Sequence, residues 1–346
     1  MKKIVFTLVF LGLNLFASDK LIIAHRGASA YLPESTQEAM TLAHAMNAHY
    51  VEFDLVLSKD DIPVIIHDLY LDNLSDVAQK FPQRKRKDGH YYVIDFTLDE
   101  LKSLKMSEVF TLKDKQQQQK YPKRFPMGTS SFTISTLAEM IELIQGLNRV
   151  SSKNIGFCIE IKKPWFHKQE GKDISKVVLN TFKDYGLNTR NLYFSSFDYP
   201  ELVRIKKELL PQMGIDVNLV FALGKNEWNE TYVLENGKWV AFDYTPFQTG
   251  EKNAELSKIV MGIAPNYNEL FTINNNKAQP NNFVKNAHKN NLKVFVWTHR
   301  ADALPSWANS TDALFDAILF KAGADGVFTD FPDLGIAFIN HKKEQQ

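Results

Sequence analysis

The stretch VEFDLVLSKDDIPVIIHD, residues 51–68, consists of two arms rich in β-branched and aromatic residues that are joined by Asp60 and Asp61. A two-residue turn connects only antiparallel strands, because a parallel crossover needs a dozen residues or more. We therefore predict a β-hairpin with Asp60 and Asp61 at its tip. This register sets Asp54 opposite His67.

Side-chain alternation divides the predicted hairpin into a charged face and an apolar face. Residues two apart on a strand share a face, and cross-strand partners have Cβ atoms about 5 Å apart, so Glu52 joins Asp54 and His67. The remaining residues suit a face packed against protein: Val51, Phe53, Leu55, Leu57, Val64 and Ile66. Ionisable groups that point into a barrel or cleft cost free energy unless they are paired or bind a metal, so the charged face indicates a functional site.

Eight β-branched or aromatic runs alternate with helical patterns along the chain. The predicted strands span residues 21–26, 50–58, 154–162, 191–197, 217–223, 261–267, 292–298 and 325–331. Capping-box patterns at Ser35–Glu38, Thr97–Glu100 and Thr136–Glu139 predict helix starts. This alternation predicts an α/β fold, a (β/α)8 TIM barrel whose active site lies at the C-terminal ends of the strands. The main alternative is an open doubly wound sheet, but no glycine-rich phosphate loop follows the first strand.

A long segment, residues 69–131, follows the hairpin and precedes the next barrel helix. We interpret it as an inserted cap or substrate-selecting subdomain on the catalytic face of one barrel domain, residues 18–346, because long insertions of this kind are usually functional. A stabilising decoration of the barrel is the alternative.

The first 17 residues have the pattern of a cleaved secretory signal peptide: Lys2 and Lys3, an apolar run over residues 4–16, and the small residue Ala17. The apolar run is shorter than the roughly 20 residues that a membrane span needs. We predict export, cleavage before Ser18 and no membrane span in the mature chain. An uncleaved N-terminal anchor is the alternative.

Composition excludes several other kinds of site. Cys158 is the only cysteine among 346 residues, so the chain has no intrachain disulfide and no plausible cysteine-based zinc site. The formal net charge of +1 gives no electrostatic case for binding nucleic acid or a membrane surface.

Further candidate site residues lie where the first and third strands end. His25 and Arg26 close the first strand, and Arg is the preferred planar donor to phosphate. In GFCIEIKKP, residues 156–164, Glu160 and Lys162 share a face, for which a buried salt bridge is the alternative to a functional role. Together with the two carboxylates of the hairpin, Glu160 completes a hard oxygen site that suits Ca²⁺ or Mg²⁺ rather than zinc.

The motifs resemble, in order and spacing, those of the glycerophosphodiester phosphodiesterases. The matching segments are IAHRGASAYLPEST (23–36), EFDLVLSKDDIPVIIHD (52–68), IEIK (159–162), WT (297–298) and GADGVFTDFP (323–332). The insertion, with YPKRFPMG (121–128), is similar to that of the periplasmic branch. The resemblance implies a (β/α)8 barrel in the periplasm that binds a divalent metal, Ca²⁺ in this branch. It also implies that small glycerophosphodiesters such as glycerophosphocholine are cleaved to sn-glycerol 3-phosphate and an alcohol.

The resemblance also implies roles for individual residues. His25 and His67 are the acid–base pair, Arg26 and Lys162 meet the phosphate, and the metal ligands are Glu52, Asp54 and Glu160. Acid–base chemistry near neutral pH suits histidine, and we assign the base to His25 and the acid to His67. The nucleophile is either water or the 2-hydroxyl of the substrate's glycerol.

Supporting residues are predicted around this set. Glu34 is interpreted either as a hydrogen-bond partner of a catalytic group or as a residue that shapes its loop. Ser35, at a position where the family often has Asn, is predicted to cap the following helix. Phe194 and Trp297 are candidates to line the carbon face of glycerol, although aromatic residues at strand ends more often serve packing.

Two other functions remain open on the sequence. A lysophospholipase D or phosphatidylinositol-type phospholipase on the same barrel would need an apolar groove or a membrane-seeking surface. A non-catalytic surface binding protein would not need both histidines, three carboxylates, Arg26 and Lys162 together.

Overall fold

The structure, a computed structural model, describes residues 20–113 and 116–345. Eight of its parallel strands form a barrel: β1 Leu21–Ala24, β2 Tyr50–Leu57, β3 Gly156–Ile161, β4 Leu192–Ser196, β5 Asn218–Ala222, β6 Gly262–Ala264, β7 Lys293–His299 and β8 Gly326–Thr329. Each strand pairs with its neighbours in chain order, and β1 pairs with both β2 and β8, which closes the sheet. The predicted (β/α)8 barrel and its eight strands are confirmed. The predicted signal peptide, residues 1–17, lies outside the described residues.

Helices connect the strands and cover the outside of the barrel. The α-helices are Gln37–Ala45, Val77–Lys80, Leu98–Lys102, Leu137–Ser151, Pro164–Gln169, Ile174–Asp184, Tyr199–Arg204, Leu210–Met213, Thr245–Gln248, Asn253–Leu256, Phe283–Lys289, Thr311–Asp316 and Pro332–Glu344. π-Helical turns span Ile205–Leu209 and Ala317–Lys321, and 3-10 turns span Pro82–Arg84, Val93–Asp95, Asn226–Trp228 and Tyr267–Leu270. Among the described residues, no helix is both long and apolar enough to cross a membrane.

Two of the three predicted capping boxes are present. The Thr97 and Thr136 hydroxyls each accept a hydrogen bond from the backbone of the glutamate three residues later, and that glutamate accepts one from the backbone of the threonine. The prediction for Ser35 is wrong by one residue. Thr36 caps the helix by accepting from the Ala39 N–H, while Ser35 has a φ of +64° and its side chain caps nothing.

Strand alternation sorts the side chains of β2 and β3 between two environments. Val51, Phe53 and Leu55 of β2 point outward into the main core, where they pack with the surrounding helices. Glu52 and Asp54 lie on the opposite face, within the barrel, where apolar packing below the charged layer includes Cys158 and Phe295. The pleat therefore separates the apolar core from the charges, as the sequence pattern predicts.

The predicted register of the hairpin is wrong by one residue. The return arm, Pro63–Ile65, pairs antiparallel with β2 so that Leu55 faces Ile65. The turn holds three residues rather than two, because Ser58 N–H donates to the Ile62 carbonyl and Asp61 adopts a left-handed φ of +62°. Such three-residue turns with a left-handed third residue are a common hairpin type.

One extra turn residue exchanges the faces of the return arm. Ile65 packs into the main core, whereas Val64 and Ile66, which we expected there, pack against the insertion. His67 nevertheless reaches the charged cluster because regular pairing stops at Ile65 and the chain turns after the Ile66 N–H bond to the Asp54 carbonyl.

The inserted segment has an apolar cluster of its own. Its buried members include Tyr91, Phe96 and Leu101, joined by Val56 of β2 and by Phe166 from beyond β3. Short helices carry this cluster, and an antiparallel hairpin, Phe110–Lys113 with Gln116–Gln119, extends from it. Two further hairpins follow β5 and β6, Tyr232–Glu235 with Lys238–Ala241 and Phe271–Asn274 with Lys277–Pro280. All three follow C-terminal strand ends and so lie on the same face of the barrel.

Candidate active site

A cavity of about 140 Å³ opens at the C-terminal ends of the barrel strands. Its lining includes eight of the predicted site residues: His25, Arg26, Glu52, Asp54, His67, Glu160, Lys162 and Trp297. The remaining lining residues are Ser195, Phe197, Ala222, Ala264, Thr298, Arg300 and Phe328. Parallel strands end on one side of a barrel, so residues distant in sequence converge there.

Three carboxylates form one wall of this cavity. Asp54 and Glu160 are direct partners in the parallel pairing of β2 and β3, and Glu52 precedes Asp54 by two residues on the same face. Burial and the negative charge of Asp54 raise the pKa of Glu52 well above its ordinary value. Burial also raises the pKa of Glu160, against the opposing charge of Lys162. Like charges gathered away from water therefore make Glu52 and Glu160 weaker acids than free glutamate.

Asp54 remains the anionic centre of the group. Burial by itself would raise the pKa of Asp54, but the charges of Lys162, His67 and Arg26 lower it below its ordinary value. Lys162 Nζ lies 3.5 Å from Asp54 Oδ1 and Arg26 Nε lies 3.4 Å from Oδ2. Lys162 also pairs with Glu160 at 2.6 Å, so the ion pair that we considered as an alternative is present.

The loop after β1 aims Arg26 into the cavity. Arg26 has a φ of +55°, its backbone N–H donates to Glu52 Oε2 at 2.8 Å, and its Nη1 donates to Glu34 Oε1 at 2.8 Å. Gly27 follows with a φ of +84°, and a Cβ there would lie 2.7 Å from the backbone of Ala39. Only glycine permits this close approach of loop and helix. Glu34 lies outside the cavity lining and acts on it through Arg26.

His25, at the end of β1, forms a buried pair with Asp330, which follows β8. Nδ1 of His25 lies 2.7 Å from Asp330 Oδ1. Asp330 is ionised, because the hydrogen bond from His25 and the charges of Arg300 and Arg124 lower its pKa although burial opposes them. An ionised carboxylate only accepts, so Nδ1 carries the hydrogen and Nε2 is left free to accept a proton. Burial, assisted by the charge of Arg26, lowers the pKa of His25 to about 4.

His67 forms a second histidine–carboxylate pair with the adjacent Asp68. Nδ1 of His67 lies 2.6 Å from Asp68 Oδ1. Burial would raise the pKa of Asp68, but its hydrogen bond with His67 and the charges of His67 and Arg26 lower it below the ordinary value. The His67 side chain is 31 % exposed, against 11 % for His25. The two histidines thus have the same type of partner but different access to solvent.

Comparison with known proteins matches the chain to one family. Residues 25–334 match the model of the glycerophosphoryl diester phosphodiesterase family. The chain belongs to this family. It is 47 % identical over 330 residues to a glycerophosphodiester phosphodiesterase from Haemophilus influenzae, covering 93 % of this chain and 90 % of the relative. It is 38 % identical over 332 residues to one from Treponema pallidum, covering 93 % and 92 %. The predicted family and enzyme class, a phosphoric diester hydrolase, are confirmed, against the binding-protein alternative.

Solved structures of the family support the barrel. A glycerophosphoryl diester phosphodiesterase from Silicibacter pomeroyi superposes with a TM-score of 0.65 at 19 % identity, covering 94 % of each chain. A phosphodiesterase from Oleispira antarctica, in complex with the product sn-glycerol-3-phosphate, superposes with a TM-score of 0.59 at 23 % identity, covering 94 % of this chain and 98 % of the other. At these identities the likeness concerns the fold.

The carboxylates of this family member have the chemistry of a site for a hard divalent cation. Asp54 Oδ2 and Glu160 Oε1 are buried and, among the described residues, accept no hydrogen bond of acceptable geometry. Within those residues, no three His, Cys, Asp or Glu side chains converge closely enough to form a complete metal cage. Arg26 and Lys162 instead lie against the oxygens. The donor set therefore fits a cation chemically, while its geometry is that of carboxylates held by their cationic neighbours.

Four candidate functional residues were not predicted from the sequence: Asp330, Arg300, Arg124 and Phe197. Asp330 had a usable signal, since it is an acidic residue directly after a barrel strand. Arg300 lines the cavity and donates from Nε to Asp330 Oδ2 at 2.8 Å. Arg124 lies in the insertion and donates to Asp330 Oδ2, and nothing in the sequence of the insertion predicts that hydrogen bond.

The aromatic wall of the cavity differs from our expectation at one position. Phe194 is fully buried in the main core and does not reach the cavity, because it lies on the outward face of β4. Phe197, three residues later, takes that place and lies 5.9 Å from Trp297 between ring centroids. Trp297 lines the cavity as predicted, with its Nε1 donating to the Ala264 carbonyl at 2.6 Å.

Proposed function

We propose that this enzyme hydrolyses small glycerophosphodiesters such as glycerophosphocholine to sn-glycerol 3-phosphate and an alcohol, with a divalent cation and with His25 and His67 as the acid–base pair. The observation that carries the proposal is the meeting in one cavity of two histidines, each hydrogen-bonded to a further carboxylate, with three carboxylates, Arg26 and Lys162. The Oleispira antarctica relative, in complex with the product sn-glycerol-3-phosphate, supports the choice of product.

His25 suits the role of general base. Its low pKa keeps the imidazole neutral near pH 7, and its Nε2 is free because Asp330 engages Nδ1. It would remove a proton from the nucleophile, water or the 2-hydroxyl of the glycerol, as the new P–O bond forms. Asp330 would hold the ring in the required tautomer and balance the positive charge that develops on it.

His67 suits the role of general acid. Asp68 stays ionised beside it and supplies a counter-charge for an imidazolium. His67 would donate its Nε2 proton to the departing alkoxide as the P–O bond to the alcohol breaks. Because His67 is the more exposed of the two histidines, it can also recover a proton from solvent after each turnover.

Arg26 and Lys162 are placed to bind the phosphodiester. Both are cationic, both line the cavity, and both lie beside Asp54. Charge on the nonbridging oxygens increases in the transition state, and fixed cations in a cavity shielded from water stabilise it. A divalent cation held by Glu52, Asp54 and Glu160 would polarise the same oxygens, with Ca²⁺ as the first candidate and Mg²⁺ as the second.

The lining of the cavity favours small polar substrates. Most of its residues are polar or charged, whereas the acyl chain of a lysophospholipid would need an apolar channel. The aromatic residues of the lining are Phe197, Trp297 and Phe328. This supports glycerophosphodiesters over the lysophospholipase D and phosphatidylinositol-type alternatives.

The activity itself is the first prediction. The mature protein incubated with glycerophosphocholine or glycerophosphoinositol should release glycerol 3-phosphate, and EDTA should abolish the release until Ca²⁺ is added in excess. An enzyme-coupled glycerol 3-phosphate assay measures both effects. If no glycerophosphodiester yields product with metal in excess, the proposed reaction is wrong.

The metal assignment predicts a loss of Ca²⁺ affinity in three variants. Glu52→Gln, Asp54→Asn and Glu160→Gln each replace a charged oxygen donor with a neutral amide, so calorimetric titration should show weaker binding in all three. Glu208→Gln, at an exposed position on an outer helix, is the matched control and should bind as the wild type does. Unchanged affinity in all three site variants would leave only the ion pairs as the role of these carboxylates.

The two histidines should respond differently to the leaving group. Replacing the substrate's alcohol with p-nitrophenol supplies a leaving group that needs no proton. His67→Ala should lose about 10²–10⁴-fold in kcat on glycerophosphocholine and far less on glycerol phosphate p-nitrophenyl ester. His25→Ala should be impaired on both substrates. The reverse pattern would exchange the two roles, and equal total losses would show that His67 is not the acid.

We also propose that the enzyme works in the periplasm, on the basis of the signal pattern in residues 1–17. Mass spectrometry of the exported protein should find a chain beginning near Ser18. A full-length chain in the membrane fraction would contradict this localisation.

A further inference from the structure

Arg124 brings the insertion into contact with the pair formed by His25 and Asp330. Its Nη2 donates to Asp330 Oδ2 at 2.7 Å, while Asp330 Oδ1 accepts from His25. Its Nε donates to Asp302 Oδ2 at 2.8 Å, and Nη2 also lies 3.1 Å from Asp302 Oδ1. The guanidinium therefore joins two carboxylates, one of which touches the proposed base.

The surroundings of Arg124 hold it tightly. Its side chain is only 3 % exposed, its guanidinium lies 3.7 Å from the centroid of the Tyr121 ring, and Nη1 donates to the Ser29 carbonyl at 3.4 Å. A buried guanidinium loses hydration, and paired carboxylates must replace it. A planar guanidinium can bond both at once, which a lysine ammonium cannot do with the same geometry.

The loop that carries Arg124 is braced from within. Gln119 Nε2 donates to the carbonyls of Tyr121 and Phe125 at 2.8 and 3.0 Å, and its Oε1 accepts from the Met127 N–H at 3.0 Å. The Arg124 N–H closes a turn onto the Tyr121 carbonyl. One side chain thus fixes both ends of this short loop and positions the guanidinium.

We propose that Arg124 is a positioning residue for catalysis, through which the insertion orients Asp330 and thereby His25. Asp330 Oδ2 is shared by Arg124 and Arg300, so the carboxylate is fixed at one oxygen while the other holds the imidazole. Without Arg124, the contacts among the described residues leave Arg300 Nε as the one donor to Oδ2, opposite the His25 bond at Oδ1, to set the carboxylate plane. The inference rests on the proposed role of His25 as base and gives the insertion a part in the chemistry of the barrel.

A purely structural role of Arg124 predicts a loss of folded enzyme rather than a loss of kcat. Arg124 also docks the insertion onto the loop after β7 through Asp302, and loss of docking would reduce the amount of folded enzyme. Arg86 provides a matched control, since it ties the insertion to Glu170 and lies 4.1 Å from the Tyr92 ring centroid but contacts neither Asp330 nor His25. Asp302→Asn is a second control, because it removes the charge and one acceptor oxygen of the docking partner and leaves the bond from Arg124 to Asp330.

The test compares kinetics and the hydrogen-bonded proton of His25 across these variants. Arg124→Ala should lower kcat on glycerophosphocholine about 10–100-fold with little change in KM, as expected for partners that orient a reacting group. Millimolar methylguanidinium should restore part of the kcat of Arg124→Ala. The kcat of Arg124→Lys should lie between those of Arg124→Ala and the wild type. Arg86→Ala should keep kcat, and Asp302→Asn should lose less than Arg124→Ala.

Proton NMR supplies a readout that does not depend on turnover. The low-field Nδ1 proton of His25, assigned by its absence in His25→Ala, should broaden or disappear in Arg124→Ala and persist in Arg86→Ala. If wild-type enzyme makes no glycerol 3-phosphate, the proposed function fails while this resonance still tests the contact. If the wild type is active and Arg124→Ala keeps both kcat and the resonance, the inference about Arg124 is wrong. Equal losses in Arg124→Ala and Asp302→Asn, without methylguanidinium rescue, would show a docking role only.

Discussion

Asp54 is buried beside two other carboxylates and stays ionised because Lys162 and Arg26 lie within 3.5 Å of its oxygens. Removing either cation would leave Asp54 with one compensating charge instead of two, and removing one partner of a buried ion pair typically costs several kcal/mol. Folding must therefore bury Asp54 together with Lys162 and Arg26. The barrel makes this possible because neighbouring parallel strands place Asp54 and Glu160 side by side and the loop after β1 supplies Arg26.

Burial of several carboxylates together is electrostatically unfavourable, and a bound ligand of suitable charge would reduce that cost. Glu52 and Glu160 have raised pKa values since burial and mutual repulsion disfavour their anions. A divalent cation among them would remove that penalty, and a phosphodiester would give Arg26 and Lys162 a second anionic partner. The same features that make the cluster costly in the free protein support the binding of a divalent cation and a phosphodiester that we propose, and such strained charge clusters are common in active sites.

The two histidines have the same type of hydrogen-bond partner but lie in different surroundings. Each forms a hydrogen bond through Nδ1 with a carboxylate. His25 is buried beside Arg26, whereas His67 is more exposed to solvent at the end of the hairpin. Burial and a neighbouring cation favour the neutral imidazole that a base requires. The partner of His25 is further enclosed by Arg124 from the insertion, so the inserted segment is continuous with the site rather than an addition to its rim.

The sequence by itself determined the barrel, its eight strands and eight of the residues that converge on the cavity. Periodicity and strand order carry that information, since alternation selects the inward face and parallel strands end on one side. It did not determine the hairpin register, because one left-handed residue, Asp61, adds a position to the turn and shifts every facing pair. Likewise, only the tertiary structure decided that Phe197 rather than Phe194 lines the cavity, and that Asp330 and Arg124 meet at His25. The contacts of Asp330 with Arg124 and His25 join residues 206 and 305 positions apart, and no local sequence pattern encodes a distance that packing of the whole chain creates.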